Sequence, residues 1–309
     1  MIAEAGRTFL VHEKMPKFCV ILNPAAGSVK EIDSLIERLR SLPSATVKVT
    51  GRRGSAGRFA RTAIKNGCDL IVAAGGDGTL NEIVNGIGAQ ARKVRVGLIP
   101  LGTGNDFART LELPNDVDQS IELILAGRTR AIDLVRVKSD RTRYFVNVSA
   151  GGFSGLVNEK LTPKMKSTWG PLAYIRSAAA ALPELRAYVT KITLDGKETL
   201  SERLYNVVVG NGRYVAGGIP IAPKAVPDDG LLDLVLIPER SFADLALLAP
   251  QILMGNHLSS SSIIYRRAAR ISVNSKPGMW FNVDGELVGN EPAEFEVLPR
   301  ALQFVVGKA

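Results

Sequence analysis

The stretch DLIVAAGGDGTLNEIVNGI, residues 69–87, constrains this chain more than any other. An apolar run reads as a buried strand, two glycines end it, and a helical pattern starts at once. Glycines let the backbone turn sharply and come close to a ligand, and the N-terminus of the helix that follows offers unpaired N–H groups to a phosphate. No Gly-Lys-Ser or Gly-Lys-Thr follows, as a Walker loop requires, and the spacing is not that of a G-x-G-x-x-G fingerprint. Asp77 inside such a cradle would repel phosphate unless a divalent cation lies between them, which suggests Mg²⁺ held together with nucleotide phosphates. Taken alone, the residues also fit a plain Gly-rich β-α turn with Asp77 as the helix N-cap.

Two further turns have the same placement. PLGTGNDFAR follows the apolar run VGLI and precedes a helical stretch, with Asn105 or Asp106 as its cap, and NPAAG follows FCVIL and supplies Asn23 and Gly27. In an open α/β sheet, loops at the carboxyl ends of the strands face one crevice, where ligands bind. The strands FCVIL, TVKVT, DLIVAA and VGLI alternate with the amphipathic stretches KEIDSLIERLR and AGRFARTAIKNG up to about Asp133, which predicts an α/β domain with a mostly parallel sheet. Beyond Asp133 the pattern becomes period two, in RYFVNVSA, YVTKITLDG, RLYNVVVGNG, LLDLVLIP, RRAARISVN and WFNVDGELV. These predict a β-rich second domain, interrupted by helical candidates at Leu172 to Ala181 and Phe242 to Leu253 and closed by a strand that could return to either half. The expected division is residues 15–133 and 134–309.

Composition narrows the partners. With 39 basic and 30 acidic residues in 309, the formal charge is +9, which favours an anionic partner such as a nucleotide, a nucleic acid or an acidic membrane surface. Aromatic residues make up only 6% and do not interleave with the basic runs Arg52, Arg53, Arg58, Arg61 and Arg266, Arg267, Arg270, so nucleic acid is demoted. Those runs read as solvated faces or as headgroup attractors. Cys19 and Cys68 sit at or within strand-like runs and read as buried free thiols in a reducing, cytoplasmic setting. No stretch reads as a transmembrane segment, so contact with lipid would be peripheral and reversible. His12 and His257 join no triad or zinc constellation.

NPAAG, GGDGTLNEIVNG and PLGTGNDFAR, in this order, resemble the catalytic-domain signature of the diacylglycerol and sphingosine kinases and their bacterial lipid-kinase relatives. The GGDGT element is shared with NAD kinases, and a similar one with 6-phosphofructokinases, whereas NExxNG followed by PLGTGND is the lipid-kinase pattern. The resemblance implies an NAD kinase-like or phosphofructokinase-like α/β domain, a C-terminal sandwich-like domain, and ATP with Mg²⁺ as the cofactors. It implies nucleotide contacts at Asn23, Thr50, Gly75, Gly76, Asp77, Gly78, Thr79, Leu80, Asn81 and Thr103, with Asp77 positioning Mg²⁺ and phosphates. It also implies a catalytic base at Glu286, in NVDGE, although that segment read alone is an ordinary Asp-Gly hairpin. In PKAVPDDGLLD it implies a structural Mg²⁺ held by the Asp229 side chain and the carbonyls of Val226 and Leu231, where the residues alone fit a plain turn equally well.

The function implied is transfer of the γ-phosphate of ATP to a lipid hydroxyl at a membrane surface. Its rivals are a soluble metabolite kinase of the NAD kinase type and a non-catalytic nucleotide or lipid sensor. The sequence names no acceptor and does not decide between a monomer and a homodimer.

Overall fold

The computed structural model describes residues 17–27, 31–154, 184–284, 286–290 and 292–307. The helical candidate at Leu172 to Ala181 and His12 lie outside the described residues.

Strands β1 (Phe18–Leu22), β2 (Ala45–Val49), β3 (Leu70–Gly75) and β4 (Arg95–Pro100) run parallel in the order β2-β1-β3-β4. Phe18, Val20, Leu22, Leu70 and Val72 pack with Leu35 and Leu39 of α1 (Ile32–Arg40) and Ile121 and Ile124 of α5 (Val117–Ala126). Cys19, Ile21, Ile71 and Ala73 turn the other way, toward α2 (Ser55–Lys65) and α3 (Asp77–Ile87). With both faces covered, β1 and β3 are buried at every residue, which is why they read as unbroken apolar runs. Cys19 is buried and Cys68 half-buried, both as free thiols, and burial pushes the Cys19 thiol up to about 11.

Helices α2 and α3 cross at two glycines. A Cβ on Gly86 would lie 2.3 Å from the Gly57 carbonyl oxygen, and one on Gly57 2.6 Å from the Glu82 carbonyl oxygen. The close approach lets Glu82 accept the N–H groups of Gly54 at 2.7 Å and Ala56 at 3.0 Å, so a residue of α3 caps α2, whose own N-cap Gly54 has no side chain to do it.

The remaining strands are β5 (Thr129–Lys138), β6 (Thr142–Phe145), β7 (Val148–Gly152), β8 (Tyr188–Leu194), β9 (Glu198–Gly210), β10 (Leu232–Pro238), β11 (Ile264–Ala268), β12 (Arg270–Lys276), β13 (Phe281–Val283), β14 (Glu286–Gly289) and β15 (Ala293–Val305). Their pairings with one another are antiparallel. Leu204, Val207, Val209, Leu234, Phe281 and Phe295 fill one core, and Val208, Val235 and Ile221 fill a second beneath Leu248 of α6 (Phe242–Met254). This is the expected β-rich, sandwich-like half. RYFVNVSA, read as one strand, is two: Asn147 accepts N–H groups from Asn211 and Gly212 at 2.8 Å each, and the chain passes there from the β5 side to the β9 side. RRAARISVN divides likewise at Ala269, where Asp195 Oδ1 accepts the N–H groups of Ala269 and Arg270.

Strand β15 joins the halves. Its first residues pair antiparallel with β12, its length pairs with β5, and Gln303 and Phe304 pair parallel with β4. Asn85 of α3 makes a second join, donating to the Tyr144 carbonyl at 2.8 Å and accepting the Tyr144 N–H at 3.0 Å.

On helix propensity alone, Gly86→Ala should stabilise by about 1 kcal/mol. Because the added carbon would meet rigid backbone at 2.3 Å, the expected outcome in urea unfolding is instead a loss of about 1–3 kcal/mol.

Candidate active site

The three glycine loops meet. A Cβ on Gly102 would lie 2.6 Å from the Gly76 Cα, one on Gly75 2.4 Å from Thr79 Oγ1, and one on Gly27 3.0 Å from Thr103 Oγ1. At Gly76 and Gly102 the approach is backbone against backbone, so there glycine is required by contact between loops. Asn23 Nδ2 donates to Thr79 Oγ1 at 3.3 Å, linking the first loop to the second. The Asn105 side chain folds back on Gly102, accepting its N–H at 2.9 Å and donating to its carbonyl at 2.8 Å.

Asn105 is the residue before α4 (Asp106–Thr110), but neither it nor Asp106 caps that helix through its side chain. The cap is Asp77, which accepts the N–H of Asp106 through Oδ2 and that of Phe107 through Oδ1, both at 3.1 Å. So the aspartate of the second loop, itself the first residue of α3, caps the N-terminus of a helix other than its own.

Two more carboxylates close around it. Asp106 accepts the Gly217 N–H through both oxygens, at 3.0 and 3.1 Å. Burial first, and then the charge on Asp77, push Asp106 up to about 6. Asp284, with φ +46°, accepts from Asn81 Nδ2 at 3.0 Å and from the Val148 N–H at 3.4 Å. Burial pushes it up to about 7, the Asn81 hydrogen bond opposes the rise, and the charges on Asp77 and then Asp106 add to it. Among the described residues no group of three acidic, His or Cys side chains is arranged to hold a metal ion by itself, so a divalent cation beside these carboxylates would need phosphate oxygens to complete its ligands.

Glu286 lies across the same space. Arg53 donates to its Oε1 from Nε at 3.0 Å and Nη2 at 2.8 Å, while among the described residues no hydrogen bond engages Oε2. Arg53, Asp77, Asp106, Asp284 and Glu286 border one cavity of about 1350 Å³. Asn23, Thr50, Gly76, Asp77, Gly78, Thr79, Thr103 and Glu286 line it. Gly75, Leu80 and Asn81 do not: Gly75 ends a buried strand, Leu80 is in the core, and the Asn81 side chain is held on Asp284. The far end is apolar, formed by Val208, Ile219, Ile221, Ile237, Leu245 and Ile252. Ligand pockets commonly hold about 300–1,000 Å³, so this one exceeds a single small ligand.

Val226, Asp229 and Leu231 belong to a separate loop before β10 and do not line this cavity. There Asp229 accepts the Leu231 N–H at 3.0 Å and pairs with Arg267, and Asp228 takes Arg130 through two bonds of 2.7 and 2.6 Å. The Arg130 bond holds Asp228 below the usual carboxylate range. Asp233 is fully buried, takes the Tyr265 hydroxyl on Oδ1, and faces Arg267 Nε at 3.5 Å with Oδ2. The basic run Arg266, Arg267, Arg270 is neutralised by Glu198, Asp229 and Glu296.

Sequence reasoning gave no role to Arg53, Gly217 or Asn282. Arg53 was legible only as one of a basic run, and Gly217 carried no signal. Asn282 lines the cavity with an Nδ2 that has no partner among the described residues; its place two residues before Asp284, in a run of period two, was the available clue.

Asp106 and Asp284 are both raised in the folded chain. The stability each contributes is complete below the ordinary carboxylate range and is lost as pH climbs through about 6 for Asp106 and about 7 for Asp284. Asp284→Asn should therefore raise the melting temperature more at about pH 8 than at about pH 5. An equal change at both would contradict this placement.

The chain matches two family models: the diacylglycerol kinase catalytic domain over residues 17–137, and the YegS C-terminal NAD kinase beta sandwich-like domain over residues 147–306. A protein of Staphylococcus haemolyticus named diacylglycerol kinase is 35% identical over 295 residues, covering 94% of this chain and 88% of the relative. A Staphylococcus aureus protein of the same name is 34% identical, covering 91% and 89%. Among solved structures, a diacylglycerol kinase from Bacillus anthracis superposes with a TM-score of 0.71 at 22% identity, over 95% of this chain and 98% of the other. An Archaeoglobus fulgidus NAD kinase solved in complex with ATP superposes with a TM-score of 0.50 at 17% identity, over 93% of each.

Proposed function

The chain belongs to the diacylglycerol kinase family, and from that premise we propose that it transfers the γ-phosphoryl group of ATP to the free hydroxyl of a diacylglycerol or closely related lipid. The observation that carries the reading is the single cavity of about 1350 Å³ with a glycine-loop cradle and carboxylates at one end and an apolar lining at the other. The names of the curated relatives and the ATP-bound NAD kinase of the same fold support it. Residues 15–133 would serve the nucleotide, and residues 134–309 the lipid.

In this reading Gly76 and Gly78 offer backbone N–H groups to the phosphates at the start of α3, where the Thr79 N–H is already taken by the Gly76 carbonyl at 3.0 Å, with Asn23, Thr50, Thr79 and Thr103 around the nucleotide. Gly75, Leu80 and Asn81 act by shaping that turn. Asp77, with Asp106 and Asp284 beside it, would hold Mg²⁺, which supplies charge neutralisation on the transferring phosphate. Glu286 Oε2 accepts the proton of the lipid hydroxyl as its oxygen bonds to the γ-phosphorus, the bond to the β-phosphate oxygen breaks, and ADP leaves. Arg53 fixes the carboxylate through Oε1. Among the described residues no helix is long and apolar enough to cross a membrane, so the lipid would be met from the surface.

A soluble metabolite kinase would share the cradle but has no use for the apolar end. Transfer from radiolabelled ATP should label diacylglycerol in mixed micelles and leave polyols, sugars and NAD unlabelled. Label on a soluble acceptor alone would overturn the lipid reading.

The loop with Asp229 would hold a structural Mg²⁺ through that carboxylate and the carbonyls of Val226 and Leu231. Four carboxylates, of Asp133, Asp228, Asp229 and Asp233, lie near three guanidiniums, of Arg130, Arg267 and Arg300, with Arg267 shared between Asp229 and Asp233, so carboxylates outnumber cations. Magnesium should raise the melting temperature of the nucleotide-free protein relative to EDTA, and Asp229→Asn should abolish the difference. If Arg267 alone satisfies the site, the wild-type protein will melt identically in both.

A further inference from the structure

Helix α6, FADLALLAPQILM, has one charged residue, Asp244, and that one is engaged in its own first turn. Ser241 Oγ accepts the Asp244 N–H at 3.2 Å and donates to Asp244 Oδ2 at 2.6 Å. Gln251 is the one other polar side chain. A helix apolar on nearly all sides belongs inside a core or a membrane, yet only Leu248 of these 13 residues is buried. Phe242, Leu247 and Met254 are 64%, 69% and 64% exposed.

The apolar residues fall into two stripes. Leu245, Leu248, Ala249 and Ile252 line the cavity. Ala243, Leu247, Pro250 and Met254, spaced four, three and four residues apart, form a second stripe that is exposed and lines no part of it. Phe242 and Leu253 lie at the seam, both exposed and both on the cavity wall. Apolar surface thus runs without a break from inside the cavity, over its rim, onto the outside of the molecule.

We propose that this outer stripe of α6 seats the protein on an anionic lipid surface. The choice of occupant rests on the lipid-kinase reading. If the apolar end of the cavity takes acyl chains, α6 stands where a lipid enters, and the same helix offers one stripe to the chain and the other to the bilayer it leaves. Charge agrees: the chain carries +9, with an exposed Arg240 two residues before α6 and an exposed Arg52 on the cavity wall. Apolar insertion of a surface helix, with cations drawn to anionic lipid, is the ordinary physics of interfacial binding.

The test uses the full chain and the double variant Leu247→Gln with Met254→Gln, with Leu125→Gln on the exposed side of α5 as control. One readout is sedimentation with vesicles of equal parts phosphatidylcholine and phosphatidylglycerol. The other is phosphorylation of a short-chain diacylglycerol presented as monomer without vesicles. The double variant should lose vesicle binding by about tenfold or more while its turnover of the monomeric substrate and its melting temperature stay at wild-type values, and the control should bind normally. Vesicle binding unchanged in the double variant would overturn the proposal. So would a wild-type dimer that the double substitution splits, since a second copy would then cover the stripe. A wild-type protein that binds vesicles through α6 yet phosphorylates no lipid would uphold the docking surface and sink the kinase reading, so the two fail separately.

Discussion

The carboxylate of Asp77 accepting the N–H groups of Asp106 and Phe107 is the constraint on which the rest of the site depends. A short helix of five residues gains little from its own hydrogen bonds, and α4 has no capping side chain next to it. Capping it from the neighbouring loop fixes the second and third glycine loops as one unit, backbone against backbone at Gly76 and Gly102. It also fixes where Asp106 sits and, through Gly217, where the loop after β9 sits. Burial first, and then the neighbouring carboxylate charges, disfavour the ionised forms of Asp106 and Asp284, and both are raised.

The second half of the chain is tied to this unit at a few points. Asn81 reaches Asp284, Asn85 reaches Tyr144, Arg53 reaches Glu286, and β15 runs along both halves. Each is directional, so the hairpin carrying Asp284 and Glu286 has a defined position over the cradle. The motif NExxNG becomes intelligible as a mechanical part: Asn81 and Asn85 point to the second half, Glu82 caps α2, and Gly86 lets α2 and α3 touch.

Much of this was legible in the sequence, because buried parallel strands leave unbroken apolar runs and the glycine loops stand directly after them. What was hidden is whatever depends on residues far apart. Nothing local to DGT shows that Asp77 caps a helix 29 residues on, or that Arg53, in a run that looks like a solvated face, meets a carboxylate across the cleft. Asp133 reads as the end of a domain, yet it lies inside β5 and is wholly buried, its oxygens taken by the N–H groups of Gly230 and Arg300. Helix α5 was overlooked although Asp116 caps it and Gly127 ends it, signals that stand in the sequence. RYFVNVSA deceived because its alternation is real while its neighbours change: Phe145, Val146 and Val148 enter three different cores.

The most direct test of the account is to measure, in one preparation, magnesium-ATP binding by calorimetry and single-turnover transfer to diacylglycerol, for the wild-type protein and for Glu286→Gln. If the cradle binds and the carboxylate across the cleft takes the proton, the variant will bind nucleotide within about threefold of wild type while transfer falls by about a hundredfold or more. Transfer at the wild-type rate, or a parallel loss of binding and transfer, would contradict it.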